Sequence, residues 1–133
     1  MIEEPRPGPE RTPYELIGGD AAVRRLVQRF YELMDTLPEA WGVRKLHPES
    51  LAGSEEKLFM FLSGWLGGPP LFTARFGHPR LRARHLPFAI GEAEAAQWML
   101  CMRQAMDDVV ADAGLRRWLD GKLTDLAAHM RNR

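Results

Sequence analysis

A single cysteine, Cys101, in 133 residues excludes an intramolecular disulfide and fits a reducing compartment. Net charge is missing as well. Eighteen lysines and arginines balance 18 aspartates and glutamates, so no global field draws the chain to nucleic acid or to an anionic membrane, and any anion site is local. No apolar run approaches the ~20 residues that span a bilayer. The opening stretch, MIEEPRPGPERTP, is acidic and proline-rich and lacks the apolar core of a secretory signal. These absences predict a soluble, cytoplasmic protein with a disordered tail over residues 1–13. Catalytic motifs are scarce too. There is no H-E-x-x-H, no paired C-x-x-C, no G-x-S-x-G and no phosphate-cradling glycine loop, which leaves zinc, hydrolase and nucleotide chemistry without specific support.

What is present is helical pattern. Apolar residues make up 45% of the chain and charged residues 27%, ordinary values for one globular domain, here residues 14–133. Val23, Leu26, Val27, Phe30, Met34 and Leu37 recur at the three-four spacing of one helix face, with Asp20 as the expected N-cap and Pro38 as the stop. Leu51, Leu58, Phe61, Leu62 and Trp65 mark a second long helix, closed by Gly67-Gly68-Pro69-Pro70. After Gly91 the pattern resumes through Ala95, Trp98, Met99, Met102, Ala105, Met106 and Val109. A last stripe runs from about Leu115 through Trp118, Leu119, Leu123, Leu126 and Met130. No segment alternates like a half-buried strand, so the fold class is all-α. Between Leu71 and Ile90 no period lasts, apart from one possible turn in HPRLRARH. Such a long irregular stretch inside a compact domain is usually functional or disordered.

That stretch holds His85 among arginines. The imidazole is open to three readings: a metal ligand, part of a basic surface, or an ordinary loop residue. Arg75, Arg80, Arg82 and Arg84 can meet phosphates, but a neutral chain without a second basic helix makes nucleic acid the lesser reading. Tyr31 and Trp98 fall on apolar helix faces, and their hydroxyl and indole N–H need partners when buried. Taken singly, each is satisfied by a backbone carbonyl. Taken together with His47 and His85, they suggest a pocket for a flat apolar cofactor, with an imidazole below, donors above and cations at the rim.

Several stretches in order, YELIGG, RFYELM, HPESLAGSEEKL, GWLGGPP, GHPRLRARHLPF and WMLCM, resemble the truncated, two-over-two haemoglobins of bacteria, group II. The resemblance covers Tyr14 to Met130, with Gly18-Gly19 and Gly67-Gly68 matching the family's double-glycine markers. It implies a two-over-two helical sandwich around haem b, with His85 as the proximal iron ligand. It places Tyr31, His47 and Trp98 on the distal side, Tyr31 and Trp98 as donors to a bound diatomic ligand and His47 as a third donor, a holder of water or a group that approaches the iron, beside a small Ser54 and an apolar Leu58. Arg84, Lys57 and Arg82 are the expected partners of the haem propionates. Phe61, Leu62, Leu81, Phe88 and Ile90 are the expected porphyrin walls. The function implied is reversible binding of O2, CO and NO by a monomer or homodimer. One rival is a haem peroxidase or NO dioxygenase working with an external reductase. The other is a non-haem helical interaction module that uses the arginine-rich loop.

Overall fold

Gly18 and Gly19 turn the chain at φ of +119° and +76°, a left-handed conformation that glycine enters without a Cβ penalty. This turn joins α1 (Pro13–Ile17) to α2 (Gly19–Thr36). It also starts α2 two residues early: Gly18 is the N-cap, and Asp20 lies inside the first turn, paired with Arg24 at 3.3 Å. The expected capping role of Asp20 is therefore corrected. The computed structural model describes residues 11–133, so the expected tail lies, over residues 1–10, outside the described residues. The Thr12 hydroxyl accepts from the Glu15 N–H at 3.1 Å and Pro13 opens α1, which places both residues in the folded part.

Pro38 stops α2 as its ring demands, and a 3₁₀ turn at Pro38–Ala40 leads into α3 (Trp41–Arg44). The second long helix, α4 (Ala52–Trp65), ends at the glycine-proline run. There the buried Ser63 hydroxyl donates to the Pro69 carbonyl at 2.8 Å. A Cβ on Gly68 would collide with the Tyr14 ring, which is why the second glycine pair admits α1 against the end of α4.

The stretch expected to be irregular contains two short helices, α5 (Leu71–Phe76) and α6 (Leu81–His85). Each is too short to show a period. Pro70 sets up the start of α5, and Gly77 at φ +79° ends it. Helix α7 (Glu92–Val109) follows a capping box in which the Glu94 carboxylate accepts from the Gly91 N–H at 2.7 Å. Helix α8 (Ala113–His129) is capped by Asp112, which accepts from the Leu115 N–H at 2.7 Å.

The core forms where α2 packs against both α4 and α7, and α7 against α8. Phe30, Leu26, Met34, Met102, Met106, Leu115, Leu119 and Leu123 are fully enclosed there. Each such side chain contributes roughly 1.5–3 kcal/mol of burial against its lost entropy. The result is an all-α, two-over-two arrangement with no strand among the described residues. Cys101 lies inside it, where burial pushes its thiol up to about 11 and makes it a small core residue rather than a nucleophile. No helix among the described residues is long and apolar enough to cross a membrane.

Candidate functional site

The centre of the site is Phe30, fully buried on α2. Its ring meets Tyr31 edge-on at 4.9 Å and Trp98 at 5.1 Å. Tyr31 in turn meets the His47 ring at 6.0 Å, nearly perpendicular. Residues drawn from α2, α7 and the turn after α3 are thus brought together, as the sequence suggested. Tyr31 is only 7% exposed, and burial, with the charge of Glu55 adding, raises its hydroxyl well above its ordinary pKa of 10.0. It stays protonated and so keeps a hydrogen to donate. Neither Tyr31 nor Trp98 hydrogen-bonds to a described residue, yet no enclosed side-chain polar atom lacks a partner. Both donors therefore border space that a guest can reach.

His47 is held by its own turn. Its Nδ1 lies 2.9 Å from the Val43 carbonyl, and a carbonyl only accepts, so the proton resides on Nδ1. Burial, followed by the charges of Arg44 and His85, lowers its pKa and keeps the ring neutral. Nε2 then carries a lone pair, so the neutral ring can only accept there. The acceptor that fixes this tautomer is supplied by its own helical turn.

Sequence reasoning missed the residue that fixes this turn. The Gln97 Oε1 accepts from the Val43 N–H at 2.8 Å, across 54 positions of chain. Gly42 leaves room for it, since a Cβ there would lie 2.6 Å from that oxygen. Gln97 thus ties α7, one residue before Trp98, to the backbone that orients His47.

On the other side, His85 closes α6. Its Nδ1 is 2.6 Å from the Leu81 carbonyl, which by the same logic leaves an Nε2 lone pair. Hydrogen-bonding one ring nitrogen to a backbone carbonyl is how proteins aim the other at a metal. His85 lies within electrostatic range of His47. Asn132, also missed, grips the chain beyond His85: its Nδ2 donates to the His85 and Phe88 carbonyls at 3.1 and 2.8 Å. No periodicity marked it.

The walls are mixed. Leu58 and Phe61 are half-buried against the core, with Phe61 stacked on Trp65 at 6.4 Å. Ser54 and Leu81 are half-buried, Phe88 is exposed and Ile90 nearly buried. Leu62 is corrected: at 1% exposure it belongs to the core and has no face left for a guest. Arg82 is partly committed elsewhere, because its Nη1 donates to the His129 and Arg131 carbonyls at 3.1 and 3.2 Å. Lys57 and Arg84 are exposed and form no ion pair among the described residues, so they are available to an anion. A groove of about 490 Å³ behind His47 runs past Leu37, Pro38 and Trp41. Its guanidinium, Arg44, is already paired with Asp35 and the Pro48 and Glu49 carbonyls.

The two-over-two helical sandwich is the fold of a globin, and the comparisons with known proteins agree. The model of the bacterial-like globin family matches residues 12–132, and the chain belongs to that family. Within it the chain is a group II truncated haemoglobin. It is 42% identical to the group 2 truncated hemoglobin YjbI of Bacillus subtilis over 120 residues, 90% of this chain and 88% of that one. A group II 2-on-2 hemoglobin from Agrobacterium tumefaciens superposes with a TM-score of 0.90 at 50% identity, covering 96% of this chain and 98% of the other. A solved structure described as a truncated oxygen-avid haemoglobin from Bacillus subtilis gives 0.82 at 42% identity, covering 92% and 100%. The groups here fit haem: free Nε2 lone pairs on His85 and His47, apolar walls, cations without an ion pair and no carboxylate–histidine cluster for a bare ion among the described residues.

Proposed function

We propose that the protein holds haem b through His85 Nε2 and binds dioxygen, CO and NO reversibly on the opposite side, against Tyr31 and Trp98. One observation carries this reading. The His85 N–H is spent on Leu81, whereas the Tyr31 and Trp98 donors are unspent. Haem supplies the iron that takes up a diatomic ligand; the chain's residues position and retain it.

The Tyr31 hydroxyl, held protonated by burial, donates to the partial negative charge on such a ligand, and the Trp98 Nε1–H is the second donor. The His47 ring stands edge-on to Tyr31 at 6.0 Å and lines the same side of the pocket. Leu58 keeps water out beside Ser54, and Lys57 and Arg84 meet the propionates. Each neutral hydrogen bond is worth about 1 kcal/mol net, roughly fivefold in a dissociation rate. Two donors suit slow oxygen release, in line with the relative described as oxygen-avid.

Absorption spectra of wild type and His85→Ala in the ferric, ferrous and CO forms test the proposal. Wild type takes up haem, and the variant's CO spectrum changes; a colourless wild type or an identical CO spectrum ends the reading. Tyr31→Phe and Trp98→Phe each raise the oxygen dissociation rate by about fivefold. No change in either rate would remove that donor from the ligand.

A further inference from the structure

We propose that Asn132 is a positioning residue for His85, acting with Arg82 in a reciprocal clasp between α6 and the segment after α8. The inference rests on the reading of His85 as the haem ligand.

Helix α6 spans five residues and buries none of them, far short of a helix that persists alone. Its N-cap, Arg80, sits at φ +48°, a conformation that disfavours a side chain. It has no extensive packing against another helix. Apolar contact therefore does not hold His85 in place, and hydrogen bonds from a distant stretch of chain take its role.

The Asn132 amide uses every polar function it has. Its two N–H groups go to the His85 and Phe88 carbonyls at 3.1 and 2.8 Å, and its Oδ1 accepts from the Ile90 N–H at 3.0 Å. The Asn132 and Arg133 N–H groups add bonds to the Ile90 carbonyl at 2.9 and 3.1 Å. In the other direction, Arg82 on α6 caps the carbonyls of His129 and Arg131, where a cation suits a helix C-terminus. Only a primary amide of this length both donates twice and accepts once here; aspartate accepts alone. Because the His85 ring leans on Leu81, its direction follows the α6 backbone, and that backbone follows the clasp.

The test compares holoprotein variants by three readouts: haem transfer to excess apomyoglobin, the iron–histidine stretching band of the ferrous protein, and hydrogen exchange at the Ile90 amide. Asn132→Ala loses all three side-chain bonds: the two donated toward His85 and Phe88 imply haem transfer faster by about fivefold to thirtyfold and a shifted band, and the third deprotects Ile90. Asn132→Asp keeps the Ile90 bond but not the two donated ones, so Ile90 stays protected while the band still shifts. Arg103→Gln cuts a remote ion pair with Asp120 and leaves band and transfer unchanged, which separates positioning from general loosening. Wild-type transfer and an unshifted band in both Asn132 variants overturn the clasp. A wild type that takes up no haem removes the underlying reading instead.

Discussion

The two faces of the site are built by opposite means. On the α2–α7 face, Phe30 is enclosed by the main core and wedges Tyr31 and Trp98 into place with ring contacts near 5 Å. On the α6 face, His85 sits on five residues without a buried side chain, held by Asn132 and Arg82. Close packing fixes side chains to fractions of an ångström and resists local opening. A hydrogen-bonded clasp on a short segment opens at lower cost. The difference fits the tasks: donors need fixed positions, whereas a cofactor as large as haem needs one wall that yields on entry and closes again.

The contrast predicts that damage to the first face is felt as stability and damage to the second as haem retention. Phe30→Ala gives the largest loss, about 3–5 kcal/mol, seen as a lower urea midpoint; a loss under 1 kcal/mol would mean that the wedge is not core. Gly42→Ala comes next. Its Cβ displaces the Gln97 amide and breaks the bond to Val43, costing about 1–2 kcal/mol. Faster hydrogen exchange at the Val43 amide is the direct check, and unchanged protection would show that Gln97 does not hold α3. Asp112→Ala removes the α8 cap for about 1 kcal/mol while Ile90 stays protected, since the clasp lies at the other end of that helix.

The smallest effect is a pH slope. Burial, then Arg44 and His85, hold His47 below its ordinary 6.5. As the pH falls the unfolded chain takes the proton first, so this contribution is complete above about 6.5 and fades as pH drops through the lowered folded value. His47→Gln therefore flattens the loss of stability on going from about pH 7 to about pH 5. Equal slopes in wild type and variant would refute a neutral, buried imidazole.

Much of this was legible along the chain because it is local. Pro38 and the Gly67–Pro70 run ended their helices where proline and glycine rules place the ends. The apolar stripes of α2, α4, α7 and α8 showed at helical spacing, and the ordered motifs pointed to His85, Tyr31 and Trp98. Where local rules competed, the reading slipped. Asp20 is a good cap, yet the left-handed glycine turn took that position first. Helix α5 buries only Phe72, too little to print a period.

The sequence by itself determined an all-α chain of the globin family, since helix periodicity and motif order survive without coordinates. Only the tertiary structure decided how the site residues are held and what they can do. The partners of Asn132 lie 42 to 47 residues away and that of Gln97 lies 54 away, separations that leave no periodic trace. The protonated nitrogen of His47 and the diversion of Arg82 to α8 follow from acceptors that folding alone brings near. A hydrogen bond needs its partner within about 3 Å, and only the folded chain supplies that distance.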